Sequence, residues 1–357
     1  MKITKVEIRE KKFALRFPSA VSYATQETAP NVFIKLCTDA GMVGWGCCAP
    51  DEEVTGETPE SVRDFLEQIA YPVLKGADPL ERRPLLERLR MEGGGRHPSA
   101  HAAASIALFD LAGKAFGAPV FRLLGGVKKP LPTSYTISLL PLDEALEQVR
   151  EALERGFRIL KIKIGENPQM DAQRIAEIRK TAGPDIPFRL DANQAYSATD
   201  TLRLLDMIEH KGVEFIEQPT PGKDLSALKQ VSDTLPIPVM ADEPVLDAGD
   251  AFRIASKKMA SLVNIKLMKC GGLDEAMDID RVCAAAGIST MLGCMDESAL
   301  SITAALHLAM VSPNVKYIDL DGHFDLIDDI ASGAPIFKDG LLAINEKPGF
   351  GVDIEEP

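Results

Sequence analysis

The sequence of 357 residues is longer than one hydrophobic core usually needs, so we expect a barrel-sized domain together with a smaller one. Its apolar fraction of 45% and charged fraction of 26% are those of a globular protein, and its formal net charge is −13. This acidic balance, without a cluster of lysine and arginine, argues against a nucleic-acid-binding protein, because phosphate recognition requires a basic surface.

We also expect a cytoplasmic protein without membrane association. Residues 1–7 lack the apolar core of a signal peptide, and the longest apolar stretch, near 304–311, is interrupted by His307 and is too short to span a bilayer. The cysteines form no CxxC pair, and a chain of this length needs no disulfides, which favours reduced thiols. The six cysteines are Cys37, Cys47, Cys48, Cys270, Cys283 and Cys294.

The first part of the chain, 1–125, predicts an α+β domain. Residues 2–10 and 31–38 alternate apolar and polar side chains, which is typical of half-buried antiparallel strands. Between these two strands we expect a polar loop over 18–30, with Tyr23 near its centre.

A second predicted loop, 50–58, contains Asp51 and leads into helices. Thr58 is a predicted N-cap, because a proline follows at the first helical position. Residues 59–125 are helical in pattern. The alanine-rich stretch 101–116 has apolar residues at helical spacing, which predicts a tightly packed core helix.

From residue 132 the pattern changes to alternating strands and helices, which predicts an α/β architecture. Amphipathic stretches such as 141–155 and 171–182 separate the strands, as in a (β/α)8 barrel. We place the barrel at 126–321 and expect the loop-rich remainder, 322–357, to return to the first domain. The predicted strands are 133–138, 159–164, 187–191, 213–217, 237–242, 262–266, 289–293 and 316–320.

Five successive predicted strands carry a charged residue at or near their end. The positions lie 24–28 residues apart, which is about the length of one strand–loop–helix–loop unit. Because the C-terminal ends of barrel strands meet at one mouth, where barrel enzymes hold their active sites, we expect these side chains to converge. They are Lys163, Asp191, Glu217, Asp242 and Lys266.

The three carboxylates predict a metal site. Asp191, Glu217 and Asp242 would repel one another at one mouth, and a bound cation is the simplest way to hold them together. Oxygen ligands without histidine or cysteine favour Mg²⁺ or Mn²⁺ over Zn²⁺. The alternative is that the three acids are separate loop residues in salt bridges.

The lysines predict proton transfer. Lys161 and Lys163 lie two residues apart on a strand, so both point into the barrel, unless they lie at its solvated rim. Lys266 ends the sixth strand, across the barrel from Lys163, so a carbon atom between them would face one amine on each side. We expect the charges of the metal and of Lys161 to lower the pKa of the lysine that acts as a base.

Five short motifs occur in order along the chain: Lys161-Ile162-Lys163, Asp191-Ala192-Asn193, Glu217-Gln218-Pro219, Asp242-Glu243, and Asn264-Ile265-Lys266 with Gly271-Gly272. This ordered set resembles the enolase superfamily, muconate-lactonizing subgroup, and the resemblance covers essentially the whole chain. It implies a modified TIM-like barrel, β/α7β, with an N-terminal α+β capping domain. It also implies Mg²⁺ as the metal of the three carboxylates.

By matching position, the resemblance implies a role for each motif residue. Lys163 and Lys266 would move the α-proton of a carboxylate substrate from one face to the other through an enediolate. Lys161 would neutralise the substrate carboxylate, and Asn193 would support the metal ligands.

Two acids on the eighth strand favour one reaction of this subgroup. Asp319 and Asp321 share a face, and the pair resembles the dipeptide epimerase signature that holds the substrate's α-ammonium group. The alternative is a solvated turn at the end of the strand. The motif 294–298 resembles the same enzymes and implies a substrate contact by Ser298, and Thr136 on the first strand is a further predicted substrate contact.

The predicted function is therefore an Mg²⁺-dependent epimerase that inverts the α-carbon of the C-terminal residue of L,L-dipeptides. An N-acylamino-acid racemase, a succinylbenzoate synthase or a cycloisomerase of the same subgroup is the alternative, because the fold does not distinguish them. A non-catalytic, metal-stabilised binding protein is a third hypothesis. The expected partner is the small-molecule dipeptide, and assembly into a homo-oligomer is left open.

The capping loops predict which side chain the substrate carries. Epimerases that act on Ala-Glu usually hold the glutamate with an arginine, and Ala24 stands where that arginine would be. Asp296, and Asp51 beside two glutamates, add negative charge near the barrel mouth, while Tyr23 adds apolar surface. We therefore predict that basic or neutral side chains are favoured over Ala-Glu.

Overall fold

The computed structural model describes residues 1–95 and 97–355. The chain begins with an antiparallel sheet of three strands, β1 (Ile3–Val21), β2 (Ala24–Thr38) and β3 (Val43–Cys48), in that order across the sheet. The first two strands are unusually long, and they extend from the capping domain towards the second domain.

The strands β1 and β2 form one continuous hairpin, so the predicted polar loop over 18–30 is wrong. Their pairing continues to Val21 opposite Ala24, which leaves two residues for the turn. The register shifts between Ala14 and Ser19, an irregularity of the kind that bends a strand. The polar residues of this stretch therefore reflect the exposure of a two-stranded arm rather than a lack of strand pairing.

Helices pack against this sheet and form the rest of the capping domain. Thr58 caps the first of them, as predicted, by accepting a hydrogen bond from the Ser61 backbone N–H at 3.2 Å. The predicted alanine-rich core helix is the fourth helix of the chain, and it is buried along most of its length. Gly46 of β3 permits its close approach, because a Cβ atom there would lie 1.9 Å from the Ala103 carbonyl oxygen. The helices are α1 (Pro59–Phe65), continued by a π turn (Leu66–Ala70) into α2 (Tyr71–Leu74), then α3 (Arg82–Glu92), α4 (Pro98–Ala115) and α5 (Val120–Leu123).

A short strand, β4 (Leu131–Pro132), leads into an eight-stranded parallel sheet. Its strands are β5 (Tyr135–Ile137), β6 (Leu160–Lys163), β7 (Phe188–Asp191), β8 (Val213–Glu217), β9 (Val239–Ala241), β10 (Leu262–Lys266), β11 (Ser289–Gly293) and β12 (Val315–Ile318). Each strand hydrogen-bonds to the next in the chain, and Thr133 pairs with Ile318, so the two ends of the sheet meet. This confirms the predicted TIM-like barrel with an N-terminal α+β domain.

Helices connect the barrel strands and cover the outside of the sheet. They are α6 (Leu142–Arg155), α7 (Pro168–Ala182), α8 (Ala198–Met207), α9 (Leu225–Thr234), α10 (Ala248–Ser256), the short α11 (Leu267–Cys270), α12 (Leu273–Ala285) and α13 (Ala299–Ala309). None of the helices in the described part of the chain has the length and apolar character needed to cross a membrane.

The floor of the barrel is an apolar layer that surrounds one arginine. Arg189 of β7 is 1% exposed, and its guanidinium carbon lies 5.5 Å and 5.2 Å from the ring centroids of Phe215 and Tyr317. Because side chains alternate along a strand, Asp191 and Glu217 project into the barrel one layer nearer its mouth. The apolar members of the floor are Phe215, Met240, Leu262, Met291 and Tyr317.

The segment after the barrel begins with a 3₁₀ turn (Gly322–Phe324) and contacts both domains. Leu326 bridges to Leu15 of β1, and the Phe350 backbone N–H donates a hydrogen bond to Asp110 of α4 at 3.1 Å. The short strands of this segment are β13 (Ala331–Ser332), β14 (Ile336–Lys338), β15 (Leu341–Ala343) and β16 (Asp353–Ile354). Strand β15 pairs with β4 and thereby joins the segment to the start of the barrel domain.

Candidate active site

A cavity of about 1030 Å³, part of it open to solvent, lies between the barrel mouth and the capping hairpin. Most of the predicted site residues line it: Tyr23, Asp51, Thr136, Lys161, Lys163, Asn193, Asp242, Lys266, Asp296, Asp319 and Asp321. Asp191 and Glu217 are fully buried and contact Lys161 at the wall of the cavity. The fold thus brings together side chains that are separated by up to about 300 residues in sequence.

Lys161 is the centre of the buried charges. Its Nζ lies 3.0 Å from Asp191 Oδ2, 3.0 Å from Glu217 Oε2 and 2.8 Å from Asp319 Oδ2. Burial alone would favour a neutral amine, but these three carboxylates hold the pKa of Lys161 well above its ordinary value. Lys161 is therefore a fixed cation in this structure, and it neutralises part of the acidic cluster.

Asp242 is paired with two further lysines. Its Oδ2 lies 2.8 Å from the Lys266 Nζ, and its Oδ1 accepts a hydrogen bond from Lys269. The Asp242 backbone N–H donates to Gln218 Oε1 at 2.9 Å, which fixes the strand end. Burial would lower the pKa of Lys266, but the ion pair with Asp242 raises it above its ordinary value. The structure therefore does not show the lowered pKa that we expect for a lysine acting as a base, because Lys161 acts in that direction but the attraction of Asp242 is stronger.

The donor set fits a divalent cation. In residues 1–95 and 97–355, no three histidine, cysteine or acidic side chains are already grouped as a metal site, and the carboxylates lie against lysines instead. Glu217 shows that positive charge is still lacking, because burial and the neighbouring Asp191 and Asp242 raise its pKa to about 7. Its Oε1 accepts a hydrogen bond from Asn264, whereas its Oε2, among the residues that the structure describes, makes only the ion pair with Lys161. Three buried carboxylates without a nitrogen or sulfur ligand match the preference of Mg²⁺.

Lys163 lies on the cavity side of Asp191. Its Nζ donates hydrogen bonds to Asp191 Oδ2 and to Asn193 Oδ1, both at 2.8 Å. Asn193 has a positive φ of 40°, a conformation that few residues other than glycine and asparagine adopt readily. Its amide also donates to Glu243 Oε1 at 3.4 Å. Asn193 therefore orients Lys163 towards the cavity and also contacts Asp191, to whose Oδ1 its backbone N–H donates a hydrogen bond at 3.0 Å.

The two acids that follow β12 have different surroundings. Asp319 accepts hydrogen bonds from Lys161 and from the Ser134 hydroxyl, the latter at 2.5 Å. Asp321 accepts one from the Thr136 backbone N–H at 2.6 Å, and its other oxygen faces the Cys294 thiol at 3.7 Å. Burial and the nearby Asp319 raise the pKa of Asp321 to about 7. A cationic ligand would relieve this repulsion.

The tip of the capping hairpin docks on the barrel loops. The Ser22 hydroxyl donates to the Asn193 carbonyl oxygen at 3.0 Å. Gly165, with φ of 143°, leaves room for this contact, because a Cβ atom there would lie 2.7 Å from the Ser22 Cβ. Tyr23 is 45% exposed at the tip and covers part of the cavity.

The acidic character of the mouth comes from fewer side chains than the sequence suggests. Asp51 and Asp296 line the cavity and are half-buried. Burial and the neighbouring Asp325 raise the pKa of Asp296 to about 6. Glu52 and Glu53 are exposed and lie outside the cavity lining.

Ser298 is not part of the cavity wall. It is the N-terminal flanking residue of α13, where its hydroxyl donates to Asp329 at 2.8 Å and its backbone N–H donates to Asn31 at 2.9 Å. The Ser298 hydroxyl therefore joins α13 to the C-terminal segment. The predicted substrate contact by Ser298 is not supported, because this hydroxyl lies away from the other predicted substrate-binding residues.

Several residues at the site were not predicted from the sequence. Lys269 follows Lys266 by three positions, is 2% exposed and forms an ion pair with Asp242. Such deep burial is unusual for a lysine and indicates a buried partner, but the burial is known only once the fold is known. Arg189 precedes Asp191 by two positions on the same face of β7, which is a readable signal. Ser134 carries no such signal.

Comparisons with known proteins agree with this geometry. Residues 3–125 match the family model described as mandelate racemase / muconate lactonizing enzyme, N-terminal domain, and residues 144–357 match enolase C-terminal domain-like. The chain is 39% identical to L-Lys-D/L-Arg epimerase of Methylococcus capsulatus, over 99% of both chains. It is 37% identical to L-Ala-D/L-Glu epimerase of Clostridium acetobutylicum, over 95% of both. It is 32% identical to N-succinyl-L-Arg/Lys racemase of Bacillus cereus, over 100% of this chain and 96% of the relative.

Solved structures show the same similarity. A dipeptide epimerase from Methylococcus capsulatus, complexed with Mg and the dipeptide L-Arg-D-Lys, has a TM-score of 0.93 at 38% identity over 99% of both chains. A dipeptide epimerase from Enterococcus faecalis V583, complexed with Mg and L-Leu-L-Tyr, has a TM-score of 0.94 at 34% identity over 99% of both. The chain thus belongs to the mandelate racemase / muconate lactonizing enzyme family of the enolase superfamily, and it is an enzyme of the isomerase class.

Proposed function

We propose that the protein is an Mg²⁺-dependent dipeptide epimerase that inverts the α-carbon of the C-terminal residue of L,L-dipeptides. One observation carries the proposal: Lys163 and Lys266 end β6 and β10, which lie four strands apart in an eight-stranded sheet whose ends meet. Both line the same cavity, so an α-carbon between them has one amine on each face. The named activities of the relatives and their complexes with Mg and dipeptides support it.

The two ends of a dipeptide match charges on opposite parts of the cavity. Lys161 is a fixed cation at the wall and would bind the substrate carboxylate. Asp321 and Asp319 are acidic and would bind the free α-ammonium group. These contacts place the C-terminal α-carbon near the carboxylate cluster, between the two proton-transferring lysines.

Asp191, Glu217 and Asp242 would hold the cation, which when bound supplies positive charge to the substrate carboxylate as its α-carbon loses a proton. Lys163 and Lys266 then divide the proton transfer. The neutral amine of one takes the proton from its face, and the ammonium group of the other delivers a proton to the opposite face. Asn193 keeps the Lys163 amine directed at the cavity through its 2.8 Å hydrogen bond.

We further propose that basic or neutral side chains are favoured over glutamate. Asp296 and Asp51 line the cavity, and Ala24 is the residue of the hairpin where an arginine would be needed for a carboxylate partner. An acidic substrate side chain would meet repulsion there, while a basic one would find a carboxylate. The similarity to L-Lys-D/L-Arg epimerase supports a basic preference.

A dipeptide library in deuterated water with Mg²⁺ tests the proposal. We expect one deuterium at the C-terminal α-carbon and a second diastereomer, both detected by chromatography with mass spectrometry. The variant that carries both Lys163→Ala and Lys266→Ala serves as the control and should do neither. A wild-type protein that incorporates no deuterium into any dipeptide would reject the proposal. If N-acylated amino acids are not exchanged either, a non-catalytic binding protein would be favoured.

A second candidate is racemisation of N-acylated amino acids, which the similarity to N-succinyl-L-Arg/Lys racemase favours. Such substrates lack a free ammonium group and leave Asp321 without a cation from the ligand. Parallel assays of free and N-acetylated dipeptides separate the two. A preference for the acylated series would replace the dipeptide proposal by this one.

A further inference from the structure

The side-chain amide of Asn31 joins the capping domain to a loop of the barrel. Asn31 lies on β2 and is 0% exposed. Its Nδ2 donates a hydrogen bond to the Asp296 carbonyl oxygen at 3.0 Å, and its Oδ1 accepts one from the Ser298 backbone N–H at 2.9 Å. One side chain thus pairs with a backbone acceptor and a backbone donor two residues apart, as the backbone of a neighbouring strand would.

The orientation of this amide is fixed by its partners. A carbonyl oxygen only accepts and a backbone N–H only donates, so exchanging the amide oxygen and nitrogen would lose both hydrogen bonds. The Cys47 thiol of the neighbouring strand β3 also donates to Asn31 Oδ1, at 3.4 Å. Because a buried polar group is costly without its partners, the Asn31 amide holds the two backbone groups in one arrangement.

The backbone that Asn31 holds belongs to the loop 294–298, which connects β11 to α13. Backbone groups of a loop depend on partners outside regular structure. Asp296 and Cys294 of this loop line the cavity, whereas Asn31 lies outside the cavity lining. Asn31 therefore affects a ligand in the cavity through the loop and not by contact.

Two further contacts hold the same loop near its ends. The Ser301 hydroxyl, in the first turn of α13, donates to the Cys47 carbonyl oxygen at 2.8 Å. Gly322 packs so closely that a Cβ atom there would lie 2.1 Å from the Met295 carbonyl oxygen. These contacts restrain the flanks of the loop, and Asn31 restrains the backbone between them.

We propose that Asn31 is a positioning residue for substrate specificity, which holds the backbone of 296–298 so that Asp296 presents its carboxylate to the substrate side chain. The proposal rests on the dipeptide epimerase function and on the contact of Asp296 with a basic side chain. A charge-assisted hydrogen bond depends on distance and direction, so a displaced loop would lose part of the preference for lysine.

Kinetics with two dipeptides test this role. Asn31→Ala removes both hydrogen bonds and should lower the ratio of kcat/KM for Ala-Lys over Ala-Leu about threefold. Because the ratio compares two substrates on one preparation, a loss of folded protein cancels. Asn31→Ser, a milder change that keeps a hydroxyl near the loop, should lie between wild type and Asn31→Ala. In the Asp296→Asn background, Asn31→Ala should change the ratio less than about 1.5-fold, because the group that it positions is gone.

Asn314→Ala is the matched control. Asn314 also holds a backbone group next to β11, because its Nδ2 donates to the Ile288 carbonyl oxygen at 3.0 Å, but at the other end of the strand and outside the cavity lining. It should leave the ratio unchanged. An Asn31→Ala ratio equal to that of Asn314→Ala, or an equal fall with and without the Asp296 carboxylate, would overturn the proposal. An Asp296→Asn variant with the wild-type ratio would overturn it as well.

Amide hydrogen exchange keeps the test independent of catalysis. In Asn31→Ala the Ser298 N–H loses its acceptor, so this amide should exchange about tenfold faster, while Asn314→Ala should leave its exchange unchanged. Mass spectrometry of peptides that cover 294–299 measures the rates. Unchanged exchange in Asn31→Ala would reject the link even if the protein epimerises dipeptides. A wild type without dipeptide activity would reject the proposed function instead, and the exchange rates would still decide whether Asn31 holds the loop.

Discussion

Three lysines of the cavity show how one side chain takes different roles from its surroundings. Lys161 is enclosed by three carboxylates and is a fixed cation. Lys163 contacts one carboxylate and the neutral amide of Asn193, and Lys266 contacts Asp242 on the far side of the barrel. Lys163 and Lys266 face the cavity from opposite sides of the barrel, so they are better placed than the enclosed Lys161 for proton transfer.

We expect Lys163→Ala and Lys266→Ala to abolish epimerisation, because each removes the amine on one face of the α-carbon. Each variant should still exchange the α-proton of one diastereomer with deuterated water, and the two variants should differ in which one. Nuclear magnetic resonance of the L,L and L,D dipeptides measures the exchange. Exchange of the same diastereomer by both variants would contradict the two-base assignment.

Asp296 is the residue at which substrate preference can be tested. A charge-assisted hydrogen bond contributes about 1.5–3 kcal/mol when desolvated and a few tenths when exposed, and the half-buried Asp296 lies between these limits. Asp296→Asn should therefore reduce the ratio of kcat/KM for Ala-Lys over Ala-Leu about fivefold. Ala-Glu should be the poorest substrate of the wild type and should improve in the variant. An unchanged Lys-to-Leu ratio would remove Asp296 from the specificity argument.

At the scale of single elements, the β1–β2 hairpin and the helix α13 both depend on contacts made by a polar residue. The β1–β2 hairpin reads as a loop but is paired to its tip, where Ser22 holds it on the barrel. The helix α13 is buried on all sides and contains His307, whose Nδ1 accepts a hydrogen bond from the Phe121 backbone N–H at 3.1 Å. Its ring packs against Phe121 and Phe350, so it joins the helix to both the capping domain and the C-terminal segment.

The pKa of His307 predicts a pH-dependent stability. Burial lowers this pKa to about 3 from an ordinary value near 6.5, so the unfolded chain binds the proton more readily. The stabilising contribution of the neutral ring is complete above about pH 6.5 and is lost as the pH falls towards 3, at about 1.4 kcal/mol per unit. His307→Asn keeps an acceptor but cannot titrate, so we expect its unfolding free energy to approach that of the wild type on going from pH 7 to pH 5.

Urea unfolding at several pH values measures this difference. Leu306→Ala, in the same helix, is the control, because it also removes buried volume but no titrating group. Its destabilisation should stay constant with pH. A difference between wild type and His307→Asn that is equally constant would show that the histidine does not titrate in this range.

At the scale of the whole molecule, strands from the entire barrel and a hairpin from the capping domain meet at one cavity. The three carboxylates of the predicted metal site come from β7, β8 and the end of β9, and they are balanced by lysines from β6, β10 and α11. A cation bound there links several strands to one another. Metal binding should consequently stabilise the folded barrel as well as support catalysis.

We expect Mg²⁺ to raise the unfolding temperature by several degrees, because a ligand at a hundred times its dissociation constant adds about 2.7 kcal/mol of stability. Exhaustive chelation should remove both this increment and the activity. Glu217→Gln, which loses one anionic donor, should need more metal for the same shift, whereas exposed Glu52→Gln should behave as wild type. Full turnover after chelation, or a Glu217→Gln variant with unchanged metal affinity, would contradict the assignment of these ligands.

The alternation of strands and helices and the spacing of charged strand ends were sufficient to predict the barrel, because both are local patterns that repeat with the length of the unit. Those patterns also indicated Asp191, Glu217, Asp242 and the lysines as neighbours. The hairpin was missed since strand pairing is non-local, and polar residues on a two-sided arm resemble a loop. Asp296 and Ser298 lie two positions apart in the sequence, yet in the structure Asp296 lines the cavity and Ser298 does not.

The hydrogen-bond partners of each charge were decided only by the tertiary structure. The pairing of Asp319 with Ser134 and Lys161 depends on contacts between residues more than 150 positions apart. The burial of Lys269 beside Asp242 likewise follows from how α11 packs under the barrel mouth. Sequence spacing determines which side chains reach the same mouth, since it sets strand direction and face, whereas burial and packing determine which of them pair and which remain available to a substrate.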